Sequence, residues 1–382
     1  MWIQARFYMI PRFFDDLTGR IQTNKVLVIY GPRRVGKTTL IQNFLSKTNL
    51  RYRSDSGENT KIQHTLSSND FDLIKEYCHG YDLIVIDEAQ NVPHVGKGLK
   101  IIVDQVPGIK VLVTGSSSFD LSNKVGEPLV GRQRIIKLFP ISVMELSKQM
   151  SAFDIKERLK DLLIYGMYPE ILTTEARKIK IEYLNEMVNS YLLKDILALE
   201  NIKSSRLLMD LLRLLAHQVG SEVSLNELSN NLNIDIKTVA RYLDLLEKTF
   251  TIISIGGYSR NLRSEVVSKR KYYFVDNGIR NGLINSFNEI EHRHDMGQLW
   301  ENFIFIERLK KKSYEQLHSN DYFWRTYAKA EIDLIEEREG KIFPFEFKWK
   351  PRKYKAPGEW TTNYPDTTVT VITTENFLDF IL

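Results

Sequence analysis

Apolar residues in the first 145 positions fall in short dense runs rather than on long periodic faces. VLVIY at 26–30, LIVID at 83–87 and KVLVTG at 110–115 are β-rich and almost unbroken in apolar character, while TTLIQNFL from Thr38 returns to helical spacing. A strand that is apolar on successive positions buries both faces, so this alternation predicts an α/β unit over residues 1–145 with a parallel sheet covered on each side. From Ser142 to about Leu215, Leu, Ile and Tyr recur three and four residues apart, broken near Gly166 and Pro169. That spacing predicts a helical lid or connector over 146–202. The segment RLLMDLLRLLA at 206–216 reads as a buried core helix, with a dimerising stripe as the alternative.

Ser224 with Glu227 three residues on forms a capping-box start, Asn233 breaks that helix, and Asp235 with Thr238 begins a second. Its apolar positions Val239, Tyr242, Leu243 and Leu246 share one face. The strand TIISI, the Gly256-Gly257 turn and the strand KYYFV then predict a hairpin, so residues 203–280 have the layout of a winged helix. In that layout the second helix offers Lys237, Thr238, Arg241 and Tyr242 to DNA. Residues 295–382 read as a further α/β unit, with a helix containing ENFIFIERLKKK followed by FWRTY, EIDLIEE, KIFPFEFKW and TTVTVIT.

Composition narrows the class. The chain has 382 residues, 43% hydrophobic and 26% charged, with 20 Gly and 11 Pro, which excludes disorder and collagen-like readings and predicts more than one folded unit. The lone Cys78 excludes an internal disulfide and points to a reducing compartment. With no apolar run long enough for a membrane helix and no signal-peptide pattern, the expectation is a cytoplasmic protein that does not engage a membrane. The net charge of +5 says little until its location is considered: Arg260–Lys271 and Lys348–Lys355 carry more than the whole surplus.

The chemistry begins at Gly31-Pro32-Arg33-Arg34-Val35-Gly36-Lys37-Thr38, a complete GxxxxGK[ST] loop between an apolar strand and a helix. Such a turn points successive backbone N–H groups and the positive end of a helix at a polyphosphate. Lys37 is expected on the β- and γ-phosphates of ATP, Thr38 on Mg²⁺, and Thr39 beside the α-phosphate. Asp87 and Glu88 leave the C-terminal end of a buried strand, where ligands bind in open α/β sheets. Asp87 is placed to hold the Mg²⁺ and Glu88 to polarise an attacking water, which argues for hydrolysis.

In the last unit, Asp333 in EIDLI and Glu346-x-Lys348 in PFEFK put two carboxylates and an amine together, because a two-residue repeat places Glu346, Lys348 and Lys350 on one strand face. Asp333 and Glu346, completed by Glu301 on the preceding helix, could hold a second Mg²⁺ while Lys348 orients a nucleophile, as metal-assisted phosphodiester hydrolysis requires. The neighbouring run KWKPRKYK suits nucleic acid, through phosphate pairing and base stacking.

On GPRRVGKTTL, LIVIDEAQ, TGSSS, the Leu129–Arg132 stretch and FWRT…EIDLI…PFEFK, nearly the whole chain resembles a family of prokaryotic AAA+ ATPases that join a winged helix to a C-terminal nuclease-like domain of the PD-(D/E)xK, or restriction-endonuclease-like, fold. The resemblance implies that Thr114 or Ser116 senses the γ-phosphate, and that Arg132 senses or completes a nucleotide site, often that of a neighbouring subunit, which would make the protein a homo-oligomer. It implies an ATPase that moves or licenses a DNA-binding C-terminal half, with metal-dependent DNA cleavage as the further activity such a fold allows. The alternative is a nucleotide-dependent switch whose inactive nuclease fold binds a protein partner.

Overall fold

The computed structural model describes residues 10–116, 129–192, 204–259, 270–326 and 328–382. Two sheets organise them. The first contains β1 (Val26–Tyr30), β2 (Tyr52–Ser56), β3 (Leu83–Asp87), β4 (Lys110–Gly115) and β5 (Gln133–Lys137), all parallel, in the order β2-β3-β4-β1-β5. Its three central strands are buried on both faces for the reason their composition predicts. Leu27, Ile29, Leu83, Val85 and Leu112 join one apolar core, while Val26, Val28, Ile84, Ile86, Val111 and Val113 join another. Helix Lys37–Leu45 supplies Leu40, Ile41 and Phe44 to the first core, and helix Val95–Gln105 supplies Leu99 and Ile102 to the second.

Helices Ala152–Tyr165, Pro169–Thr173 and Arg177–Glu186 follow, the last running into a π-helical turn, Met187–Leu192. Helix Ser205–His217 buries Leu208, Leu211, Leu212 and Leu215, so the leucine-rich stripe is core. Ser224 caps helix Leu225–Leu232 by accepting from Glu227 N, but the reciprocal half of the capping box is absent because Glu227 accepts from Gln218 Nε2 instead. Asn233 ends that helix in the left-handed region at φ 51°, and Asp235 caps helix Ile236–Lys248.

The second sheet crosses a boundary that the sequence pattern suggests. Strands β6 (Glu222–Val223), β7 (Ile252–Gly257) and β8 (Arg270–Phe274) are continuous with β9 (Asn320–Arg325), β10 (Glu331–Arg338), β11 (Lys341–Phe347) and β12 (Thr370–Ile372), in the order β12-β11-β10-β9-β7-β8-β6. The join is a short parallel pairing of Gly256 and Gly257 with Tyr322 and Phe323. Helix Met296–Glu315 packs under this sheet and also reaches the first core. Its Tyr314 stacks on Phe13 with ring centroids 5.0 Å apart, and its Lys310 donates to Ile141 O at 2.9 Å. Among the described residues, no helix is long and apolar enough to cross a membrane.

Candidate nucleotide site and the C-terminal acidic cluster

Strand β4 lies between β3 and β1, and these three strand ends bring the predicted nucleotide residues together. The connections from β1 and β4 leave in opposite directions, so a crevice opens at the carboxyl ends of the strands. The loop leaving β1 is tightly constrained. A Cβ on Gly31 would lie 2.0 Å from Leu138 O, just beyond the end of β5, and Gly36 begins the helix at φ 92°, where a side chain is strained. Arg34 is also left-handed at φ 61°, an uncommon conformation for an Arg. Val35 is fully buried and anchors the turn, whereas Thr38 and Thr39 are exposed on the first helical turn.

Lys37 is almost wholly buried and donates from Nζ to Gly31 O and Pro32 O, both at 2.9 Å, which places its ammonium inside the loop. Thr38 Oγ1 donates to Asp87 Oδ2 at 2.7 Å. The other Asp87 oxygen accepts from Thr114 Oγ1, and that hydroxyl accepts from Glu88 N at 2.9 Å. Glu88 has φ 52°, and its carboxylate is held by Gln90 Nε2, which lies 3.3 Å from Ser116 Oγ. Thr114 thus touches Asp87 and the backbone of Glu88, while Ser116 joins the side chain of Glu88 through Gln90. A hydroxyl beside a carboxylate at an exposed loop mouth is an oxygen donor pair of the kind Mg²⁺ takes alongside phosphate oxygens, so Thr38 and Asp87 fit that ion.

Two contributors escape sequence reasoning. Gln90 lies two residues beyond the acidic pair and carries no motif of its own. Arg12, 6% exposed, donates from Nη1 to Val35 O at 2.5 Å, from Nη2 to Phe139 O at 2.7 Å and from Nε to Glu145 Oε1 at 2.9 Å. Only contacts across more than twenty residues reveal it.

Arg132 does not reach this chain's own loop. Its carbonyl accepts from Val26 N at the start of β1, the opposite end of the sheet from Gly31, about 16 Å away at ~3.3 Å per strand residue. Its Nε pairs with Asp104 at 2.6 Å. Arg34, in contrast, leaves the loop to meet the helical connector, with an ion pair to Glu186 at 3.0 Å and its guanidinium over the Tyr183 ring.

The helix expected to face DNA differs from expectation at one position. Lys237 and Arg241 are exposed, but Tyr242 is 2% exposed in the core and cannot be offered to a duplex, because the apolar face of the helix claims it. Around those two cations Lys248 pairs with Asp244 at 2.5 Å and Asp235 is committed to the cap, so this helix is not a basic stripe. The predicted wing lies mostly in residues 260–269, outside the described residues. Lys350, Arg352, Lys353 and Lys355 are all exposed.

The C-terminal carboxylates do converge, though not as a metal shell. Asp333 accepts from Phe347 N at 2.8 Å, and Glu346 pairs with Lys348. Glu301, however, is engaged by Lys271 Nζ at 3.0 Å and by Tyr273 OH at 2.8 Å. Lys271, which the sequence places at the end of a basic stretch, is instead fully buried on β8, pairs also with Glu331, and lies 3.9 Å from Asp333 Oδ1. This corrects the expected shell of Glu301, Asp333 and Glu346: an ammonium stands between its members, and among the described residues no three His, Cys, Asp or Glu side chains are arranged to hold a metal. The site does not fit the second Mg²⁺. Burial raises the carboxyls of Glu301, Asp333 and Glu346 above the ordinary carboxylate range, and Lys271 and Lys348 pull in the other direction.

Comparison with known proteins matches three segments of the chain. The family model described as "AAA domain" matches residues 23–147. Two models described as domains of unknown function, DUF8612 and DUF4143, match residues 156–289 and 296–374. The uncharacterized protein Rv2008c of Mycobacterium tuberculosis is 28% identical over 326 residues, covering 85% of this chain and 70% of that protein. The uncharacterized protein MJ1544 of Methanocaldococcus jannaschii is 23% identical over 349 residues, covering 85% and 75%. Among solved structures, the Walker-type ATPase of Pyrococcus abyssi aligns at 16% identity and TM-score 0.46 over 69% of this chain and 91% of that one. With the loop, the acidic pair and the strand order in place, residues 23–147 are a P-loop domain of the AAA type.

Proposed function

We propose that the protein binds and hydrolyses ATP with Mg²⁺ at Gly31–Thr38 and couples that cycle to nucleic-acid binding by its C-terminal half. The observation that carries the nucleotide reading is the bonded set of Thr38, Asp87 and Thr114 at the loop mouth. Bound Mg²⁺ would be held by Thr38 and Asp87 and would neutralise phosphate charge. Lys37 exchanges its two carbonyl partners for phosphate oxygens, and Glu88, its carboxylate held by Gln90, orients and polarises the water. Arg34 offers a direct link from the loop to the connector through Glu186.

Nucleic acid is supported by the exposed basic run at 350–355 more than by helix Ile236–Lys248, whose cations are few. We read residues 203–280 as a winged helix and the C-terminal unit as a nuclease-like platform that binds without cutting. Lys271 among the carboxylates is the observation that favours this over a cleaving enzyme. The test pairs turnover with binding. Lys37→Ala should lose nucleotide binding, and Glu88→Gln should bind ATP yet barely hydrolyse it. Charge reversal at Lys350, Arg352 and Lys353 should weaken DNA binding across sequences and lower the salt slope by about one per lost phosphate contact. Normal hydrolysis by Glu88→Gln, or DNA affinity unchanged by the reversals, removes the corresponding half.

A further inference from the structure

We propose that Lys271 is a built-in cation occupying the C-terminal acidic cluster, so that this site takes up a divalent metal only when that ammonium is removed. The cluster is assembled from three directions. Helix Met296–Glu315 brings Glu301, β10 brings Glu331 and Asp333, and β11 brings Glu346 with Lys348 just past its end, while Lys271 enters from β8. Glu301, Glu331, Asp333 and Glu346 outnumber Lys271 and Lys348 by two, in a setting where Lys271 is 0% exposed and Glu346 4% exposed.

Four carboxylates this close, Asp333 and Glu346 buried and Glu301 and Glu331 partly so, repel one another strongly unless a cation lies among them, and a buried charge is tolerated only when paired. Lys271 supplies that cation with a compact ammonium of three donors, which matches its contacts with Glu301 and Glu331 and its approach to Asp333. Arg325 neutralises the far side of Glu331 at 3.5 Å, so the pairing extends to β9. One feature points to a ligand beyond the lysines. Glu346 Oε2 is buried and makes no hydrogen bond of normal geometry, although the Tyr354 hydroxyl interacts with this carboxylate and its sister oxygen pairs with Lys348. An oxygen of that kind, beside Asp333, is where an oxygen-seeking divalent ion would bind once the competing ammonium is gone.

The occupancy also has a structural meaning. Lys271 belongs to the hairpin, whereas its carboxylate partners belong to the C-terminal unit, so the same contact that blocks the metal fastens β8 to helix Met296–Glu315 and β10. Removing the ammonium while leaving a side chain of similar length should therefore create a metal site at some cost in rigidity.

The experiment is a Mn²⁺ titration of nucleotide-free full-length protein, read by electron paramagnetic resonance and by thermal shift, in wild type, Lys271→Met and Lys271→Met/Glu346→Gln. The expected result is no Glu346-dependent Mn²⁺ equivalent in wild type, one equivalent beyond any held at Thr38 and Asp87, with a rise in Tm, in Lys271→Met, and loss of that added equivalent in the double variant. A wild-type site that vanishes in Glu346→Gln overturns the proposal, as does a folded Lys271→Met protein that gains no Mn²⁺ equivalent. If Lys271→Met does not fold, wild type against Glu346→Gln still decides: a Glu346-dependent equivalent in wild type refutes the proposal, and its absence, with Mn²⁺-dependent nicking of plasmid DNA equally absent from both, supports it.

Discussion

Arg12 donates to the main-chain carbonyl of Val35, so a residue outside the phosphate loop fixes the loop's shape from behind. The same guanidinium reaches Phe139 O and the fully buried Glu145, whose carboxylate also caps the helix at Ser142. Three directions are set by one planar fork, which a lysine cannot reproduce.

Replacing Arg12 with Met should therefore act on two levels. Leaving Glu145 buried without its partner costs about 3–5 kcal/mol, read as a lower denaturant midpoint. Losing the bond to Val35 O, at about 1.5–3 kcal/mol for a charged hydrogen bond, should weaken nucleotide affinity by roughly 10- to 100-fold when measured by titration under conditions where the variant is folded. Arg12→Lys should recover more of the stability than of the affinity. Equal recovery of both would mean that Arg12 supports the fold alone.

Thr114 gives a sharper test of the chemistry. Its hydroxyl bonds Asp87 and receives the N–H of Glu88, so Thr114→Val keeps shape and removes both contacts. ATP binding should persist while hydrolysis falls by about 10²-fold or more, the scale of losing a positioned general base. Ser116→Ala, which touches Glu88 only through Gln90, should lose less. A comparison of kcat with KM for the two variants separates them, and equal losses would contradict this ordering.

What the sequence made legible is what short-range spacing encodes. Lys37, Thr38, Asp87 and Glu88 lie in motifs whose spelling also dictates a strand, a turn and a helix, so local pattern and site coincide. Arg12, Gln90 and Lys271 act through contacts that exist only after packing, and single Arg, Gln or Lys residues carry no periodic signature. Tyr242 shows the opposite error: the sequence pattern puts it on the apolar face and the helix-turn-helix layout offers it to DNA, and burial decides for the core. The seven-stranded sheet was unreadable for a related reason, since the β7–β9 join rests on two glycines whose pairing leaves no side-chain pattern.

Cys78 should be silent in the native protein. It is 1% exposed, and burial pushes its thiol up to about 12, so thiolate, the reactive species, is scarce at neutral pH. A chromogenic disulfide reagent at pH 8 should label no thiol until denaturant is added and one thiol afterwards. Labelling that is fast without denaturant would show that the second core opens locally around helix Phe71–Cys78.

Asp295 links stability to acid. Burial opposes its charge, but bonds from Arg293 and the charge of Arg280 outweigh that cost and hold its carboxyl below the ordinary range. The folded state then binds its proton less readily than the unfolded chain, so this contribution is complete above the unfolded value near 3.8 and is lost as pH falls through the depressed folded one. Asp295→Asn should remove that acid-dependent step. It should also destabilise the protein at neutral pH by about 3–5 kcal/mol, because Arg280 and Arg293 are both nearly fully buried and would lose their shared counter-ion. Denaturant unfolding of wild type and variant between pH 3 and pH 7 measures both effects. If the two stability curves stay parallel across that range, the ion pair is not the source of the acid sensitivity, and the buried Arg308–Glu336 pair, whose carboxyl is likewise depressed, becomes the next one to substitute.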